Sequence, residues 1–154
     1  MQLDERGVFL LSQLGHHVAE RMATSLMPLG LQPAHFGVLS HLQADDGLTQ
    51  QRLADNLGIH RNSMVGLVDD LEAHELVRRT RHPDDRRAYA VRLTDRARAV
   101  LREAEASADH LEDTVLAPLS EPERRRLIAM LHRVAAHAEL LPGVHPGLQR
   151  RAPR

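Results

Sequence analysis

The sequence predicts a mainly α-helical fold that is interrupted once by a small β-hairpin. Apolar residues recur at three- and four-residue steps along most of the chain, which is the period of an amphipathic helix. Near the middle, two short helical stretches are separated by Gly58. The period then changes to alternation at Tyr89, Val91 and Leu93, as expected for a strand.

Composition places the chain among globular proteins and excludes several classes of site. Its 154 residues suit one domain with a single core. The absence of cysteine excludes disulfides, thiolate metal sites and thiol redox sensing. The sequence has no signal-peptide pattern and no apolar run of about 18 residues. We therefore expect a cytoplasmic protein that does not contact a membrane.

Two helices are predicted before residue 45. The first runs from Asp4 to Met27 and is ended by Pro28 and Gly30. Pro33 opens the second, and residues 45–47 turn the chain. The apolar stripes consist of Val8, Leu11, Leu14, Val18, Met22 and Leu26 in the first helix and Phe36, Leu39 and Leu42 in the second.

The two short helices around Gly58 have the pattern of a helix-turn-helix. Thr49 is a candidate N-cap, and Gly58 stands where a helix often ends in the left-handed conformation. The second helix of the pair is the candidate recognition helix, since this helix enters the DNA major groove in such motifs. The buried residues would be Leu53, Ala54 and Leu57, then Met64, Val68 and Leu71.

A β-hairpin, or wing, is predicted directly after the recognition helix, from Val77 to Leu93. Residues 82–85 (His-Pro-Asp-Asp) suit a type I turn with proline at its second position. Thr94 would cap a long helix from Asp95 to Ala117.

The last helix is predicted to start at the capping box formed by Ser120 and Glu123 and to continue to Leu141. Residues 142–154 are rich in Pro, Gly and Arg, so we expect a disordered tail.

Charge is distributed unevenly. The net charge is −1, but eight arginines and only three acids lie between Arg78 and Arg98. Such a local excess of positive charge is typical of a surface that binds a polyanion.

Three segments resemble the MarR family of bacterial transcriptional regulators. They are LTQQRLADNLGI, LVDDLEAHELVRR, and Asp84-Asp85-Arg86-Arg87 followed by Leu-Thr at 93–94. The resemblance covers residues 31–97. It implies one domain over 1–141, with a winged helix-turn-helix lobe at 31–93 and dimerisation helices at 4–28 and 95–141.

Candidate base-reading residues are the first residues of the recognition helix, Arg61, Asn62 and Ser63. Arginine can bond guanine through two hydrogen bonds, and asparagine can bond adenine in the same way. The alternative is that Asn62 or Ser63 only caps the helix.

In the wing, Arg86 and Arg87 are predicted at the tip, where an arginine can enter a narrow minor groove. The resemblance implies that Asp84 supports the wing by pairing with an arginine. The alternative is a solvated charged turn. Weaker candidates for phosphate contacts are Arg78, Arg79, Arg81 and Arg92.

The resemblance also implies a homodimer on a pseudo-palindromic double-stranded operator and a small aromatic or anionic effector. His16, His17 and Arg21 lie on the helix expected to line the effector pocket. No two of the eleven histidines are spaced i, i+4, so we predict no metal and no cofactor, with a metal-responsive regulator as an alternative.

We thus predict a ligand-responsive repressor. The competing functions are a winged-helix module that binds protein rather than DNA, and an enzyme. The sequence has no phosphate loop and no convincing Ser/His/Asp arrangement, so we do not expect an enzyme.

Overall fold

A computed structural model describes residues 2–145 and residue 147. The helices along these residues are α1 (Gly7–Leu26), α2 (Pro33–Ala44), α3 (Gln50–Leu57), α4 (Arg61–Ala73), α5 (Asp95–Val115) and α6 (Glu121–His137). The strands are β1 (Val77–Arg81) and β2 (Tyr89–Leu93), which form one antiparallel hairpin between α4 and α5. The predicted mainly helical fold with a single wing is confirmed.

The helix-turn-helix forms through local capping. The Thr49 hydroxyl accepts a hydrogen bond from the Arg52 amide at 3.2 Å, and Gly58 ends α3 with φ 60°. The amide of Ile59 returns to the Ala54 carbonyl at 2.9 Å, which closes the Schellman motif. Both predicted caps are confirmed, and the turn between α3 and α4 is only three residues long.

The cap of α4 was not predicted. The Nδ1 atom of His60 accepts a hydrogen bond from the Asn62 amide at 3.2 Å. Neither Asn62 nor Ser63 is therefore the N-cap, and both lie within the first turn of the helix. A histidine cap is not recognisable by residue type, because N-caps are usually Ser, Thr, Asp or Asn.

The hairpin pairs Val77 with Leu93 at its base and Arg81 with Tyr89 at its far end. The segment before α3 adds to β2, because the Val91 amide donates to the Leu48 carbonyl at 2.8 Å. This extra pairing covers Ala90 as well as Val91, so both adjacent residues are buried. The predicted alternation is consequently incomplete.

The C-terminal helices begin where predicted and end earlier. Thr94 caps α5, and the capping box of Ser120 and Glu123 starts α6. The two hydrogen bonds from Ser120 lower the pKa of the Glu123 carboxyl. Helix α6 ends at His137 rather than at Leu141, because Glu139 adopts φ 55° and closes a second Schellman motif.

The core lies between α2, α3, α4, the hairpin and the first half of α5, with Leu26 of α1. No residue of α6 is buried. Val144, within the segment predicted to be a disordered tail, packs against this core. Residue 146 and residues 148–154 of the tail lie outside the described residues. Among the described helices, none has the length and apolar character needed to span a bilayer.

Candidate nucleic-acid interface

The N-terminal turn of α4 carries the three predicted base-reading residues. Arg61 and Asn62 are exposed, and Ser63 is half-buried. The opposite side of the helix is held in the core by Met64, Val68 and Leu71. A buried inner face fixes the helix, while its first turn is left open to a ligand.

The tip of the wing is a hydrogen-bonded turn with two arginines at its centre. The Ala88 amide donates to the Asp85 carbonyl at 3.1 Å, so Arg86 and Arg87 are the central residues. The predicted turn at residues 82–85 is therefore displaced by three residues. Both arginines are exposed, and neither forms an ion pair with a described residue.

The acid that supports this turn is Asp85. Its Oδ1 accepts a hydrogen bond from the Arg87 amide at 2.9 Å. Asp84 instead donates its amide to Nδ1 of His82 at 3.2 Å. The ion pair expected between Asp84 and an arginine is not present among the described residues. A bond to a backbone amide leaves the Arg87 guanidinium free, whereas an ion pair would occupy it.

Arg81 braces the tip from the end of β1. Its guanidinium donates to the Arg86 carbonyl at 3.1 Å and lies 5.9 Å from the centre of the Tyr89 ring. Cation–π contacts of this length are weakly stabilising at exposed sites. Arg81 therefore positions the wing tip.

Arg79 is bound within the protein and is not a free cation. Its guanidinium pairs with Asp69 and Glu72 of α4, and its Nε donates to Oε1 of Gln50 at 2.8 Å. The Arg79 amide also donates to Glu72 at 3.0 Å. Burial lowers the pKa of Arg79, but the bonds to the two carboxylates outweigh it and raise the pKa above its ordinary value.

Arg79 thus fastens the wing to the recognition helix. Its positive charge is balanced by two carboxylates, so Arg79 is less available for the predicted phosphate contact than the exposed arginines of the wing. Sequence reasoning missed the anchor, since the acids lie seven and ten residues earlier on another element.

Arg78 and Arg92 face each other across the hairpin. Arg78 is exposed, whereas Arg92 is half-buried and its guanidinium lies over Gly47. Gly47 has φ 89°, and a Cβ atom there would lie 2.9 Å from Nη1 of Arg92. Of this pair, Arg78 is the better-exposed cation.

A cavity of about 840 Å³ lies between α1 and α2. Its wall is mainly apolar and includes Val18, Met22 and Phe36, and its polar members are Gln32, Ser40, His41 and His145. Leu57 of α3 also reaches it, so the cavity borders the helix-turn-helix. Cavities of this size and character hold small organic ligands.

The predicted effector-binding residues lie on α1 but outside the wall of this cavity. His16, His17 and Arg21 are exposed and do not line the cavity, and His16 pairs with Glu20 at 3.3 Å. Successive helical residues are separated by about 100°, so a wall built from 15, 18, 19 and 22 turns 16, 17 and 21 away. Among the described residues, no three His, Asp or Glu side chains are grouped in a way that could hold a metal ion.

Known proteins share the fold of this chain, including its winged helix-turn-helix lobe. Residues 29–88 match the model of the MarR family. A solved structure of the transcriptional repressor CouR bound to a 23-mer DNA duplex is 36% identical to this chain, with a TM-score of 0.76. The match covers 86% of this chain and 94% of CouR. The chain belongs to the MarR family of transcriptional regulators.

The chain is also similar to a second solved structure of CouR, from Rhodococcus jostii RHA1, which is bound to p-coumaroyl-CoA. It is 29% identical, with a TM-score of 0.74, over 88% of this chain and 95% of that one. A putative transcriptional regulatory protein for the hcr operon of Thauera aromatica is 32% identical over 105 residues. The match covers 68% of this chain and 63% of that relative, so the chain spans less than two thirds of its length.

Proposed function

We propose that this protein is a homodimeric repressor that binds a double-stranded DNA operator and releases it when a small molecule occupies the cavity between α1 and α2. The observation that carries the proposal is the wing tip. Arg86 and Arg87 are the central residues of a hydrogen-bonded turn and form no ion pair with a described residue. Arg79, in contrast, forms ion pairs with two carboxylates. The fold leaves free the two cations that are best placed for DNA.

Recognition of DNA divides between two elements. The first turn of α4 enters the major groove, where Arg61 and Asn62 contact base edges and Ser63 contacts a base or phosphate. The wing tip approaches the backbone and the adjacent minor groove, where arginine is attracted by the narrow groove of A/T-rich DNA. Arg78 and Arg81 add positive charge along the wing. CouR, with 36% identity, has been solved on a DNA duplex, which supports this assignment.

Dimerisation would cover the apolar surfaces of the terminal helices. Val8 of α1 is 81% exposed and Val134 of α6 is 54% exposed, and neighbouring apolar residues on both helices are also open to solvent. Exposed apolar area of this extent marks an interface. A twofold dimer would set two recognition helices one DNA turn apart, about 34 Å, and would read a pseudo-palindrome.

The cavity suggests an effector with a neutral aromatic or acyl body. The described wall includes Phe36 and is largely apolar, and no Arg lines it. Among the described lining residues, a free carboxylate would find only the imidazoles of His41 and His145 as possible cationic partners, and burying a charge that is not fully paired is costly. CouR has been solved bound to p-coumaroyl-CoA, an acyl thioester whose aromatic ring is at the end of the acyl chain, away from the charged groups of CoA. We therefore propose an aryl- or acyl-thioester effector in place of a small anion.

The test is binding to a duplex that the wild-type protein selects from a random-sequence pool, measured by fluorescence anisotropy. The double variant Arg86→Ala/Arg87→Ala should lose at least tenfold in affinity. Arg102→Ala is the matched control, because Arg102 is an exposed arginine of α5 outside the proposed interface. A wild-type chain that selects no duplex would contradict the proposal and favour a protein-interaction module.

A further inference from the structure

One side-chain hydrogen bond connects the wall of the cavity to the helix-turn-helix. His41 lies in the last turn of α2 and lines the cavity. Its Nε2 is 3.1 Å from Nδ2 of Asn56, on α3. Within the described part of the chain, this is the only hydrogen bond between side chains that joins α2 to α3.

The chemistry of the bond leaves the ring available to a ligand. The amide nitrogen of Asn56 can only donate, so Nε2 of His41 accepts. In a neutral imidazole the proton then lies on Nδ1, which is the remaining donor of the ring. A ligand in the cavity can therefore contact the same ring that holds α3.

Asn56 is well placed to transmit such a contact. It does not line the cavity, but the next residue, Leu57, does. Gly58 ends the helix immediately afterwards, and the chain reaches Arg61 at the start of α4 three residues later. A shift of the C-terminal end of α3 would therefore reach the DNA-reading turn through a very short connection.

We propose that the His41–Asn56 hydrogen bond is the contact through which the ligand in the cavity acts on the helix-turn-helix. The bond is 3.1 Å long, and a donor–acceptor distance beyond about 3.5 Å no longer counts as a hydrogen bond. A ligand that displaces the ring by about half an ångström would therefore break this bond, while the buried side chains of Leu53 and Leu57 keep α3 in the core. The ligand class that fits is an aryl or acyl group with a polar oxygen that accepts from the ring. His41 is in this sense a positioning residue.

This inference rests on the proposed repressor function, and the experiment separates the two. The affinity of the selected duplex is measured with and without p-coumaroyl-CoA for the wild type, His41→Phe, Asn56→Ala and the double variant. Gln51→Ala is the matched control, since it removes the bond from Gln51 to Asp55, which stays within α3.

Without ligand, each single variant should bind the duplex about fivefold more weakly than the wild type, as expected for the loss of one neutral hydrogen bond. The double variant should lose no more than either single variant, because both substitutions remove the same bond. Gln51→Ala should show no such coupling with His41→Phe. These measurements need no effector.

With p-coumaroyl-CoA, the duplex affinity of the wild type should fall, and the fall should be at least fivefold smaller in Asn56→Ala. Asn56 lies outside the cavity, and in Asn56→Ala the ligand no longer has to break the bond, so DNA-free Asn56→Ala should bind p-coumaroyl-CoA at least as tightly as the wild type by calorimetry, up to about fivefold more tightly. If Asn56→Ala binds DNA and responds to the ligand as the wild type does, the inference is wrong while the repressor function stands. If p-coumaroyl-CoA does not lower the duplex affinity of the wild type, the proposed thioester effector is wrong. The measurements without ligand then still show whether the His41–Asn56 bond supports DNA binding.

Discussion

The Nε2 atom of His35 lies 3.8 Å from a carboxylate oxygen of Asp70. His35 is in the first turn of α2 and is 6% exposed, while Asp70 is on the recognition helix. The Nδ1 atom of His35 accepts a hydrogen bond from the Gln32 amide at 3.4 Å. Burial lowers the pKa of His35, and the nearby His74 acts in the same direction, while Asp70 opposes both. The core therefore favours the neutral ring beside the recognition helix.

The lowered pKa of His35 makes stability fall at acidic pH. In the unfolded chain this histidine takes up a proton near pH 6.5, whereas in the folded chain it does so only at lower pH. Below about pH 6.5 the unfolded state binds more protons, so the free energy of unfolding decreases as pH falls. Urea unfolding from about pH 7.5 to about pH 5 should show a smaller decrease for His35→Gln than for the wild type.

His110→Gln is the control for this measurement, because His110 is an exposed histidine of α5. Its pH profile should parallel that of the wild type. A parallel profile for His35→Gln as well would mean that His35 does not link protonation to folding.

The anchor at Arg79 should contribute to stability as well as to shape. Arg79→Met keeps the aliphatic stem and removes the donors to Asp69, Glu72 and Gln50. The loss leaves two carboxylates of α4 without their cation, so the free energy of unfolding should fall by about 1–3 kcal/mol. Urea unfolding with an unchanged m-value would measure this loss.

Arg78→Met provides the comparison, since Arg78 is the preceding residue of β1 and is exposed. Its stability should change by less than about 0.5 kcal/mol. Equal losses in the two variants would show that the carboxylates do not hold the wing.

Much of the fold was predictable because its signals are local. Thr49, Gly58 and the capping box of Ser120 and Glu123 act on amides and carbonyls within a few residues. Side-chain type and spacing therefore predicted these helix ends. Helix α6 ended early because Glu139 adopts the left-handed conformation, which residue type does not indicate for glutamate.

The site was predictable only in part, because residue type does not show which partner each arginine has in the folded chain. Both Arg79 and Arg87 were candidates for DNA contact, but Arg79 pairs with two acids of α4, whereas the Arg87 guanidinium forms no ion pair with a described residue. The cavity shows the same limit. The apolar stripe of α1 already contained Met22 and excluded Arg21, but only packing against α2 shows that this stripe lines a cavity.

Two arginine variants should distinguish a contact to a base from a contact to the DNA backbone, because only the first should change sequence specificity. Arg61→Ala should lose about 1–3 kcal/mol of DNA-binding free energy through one base pair of the selected site. Replacing that base pair should then have little further effect on binding by the variant. Arg87→Ala should reduce the dependence of log affinity on log salt by about one, and should weaken binding without relaxing the preference at any single base pair. Binding to single-base variants of the site at several salt concentrations measures both effects. Uniform loss in Arg61→Ala would show that it contacts phosphate and not a base.

The apolar face of α6 should be needed for dimerisation. Leu131 is 40% exposed, and Val134 lies one helical turn away on the same face. Leu131→Glu/Val134→Glu places two carboxylates where a partner would bury apolar area, so sedimentation equilibrium should show a monomer at concentrations where the wild type is dimeric. His132→Glu is the control, because His132 adjoins Leu131 but points about 100° away around the helix. Since two linked half-sites bind far more tightly than one, the monomeric variant should also lose at least tenfold in affinity for the selected duplex. A variant that stays dimeric would place the interface on surfaces other than α6.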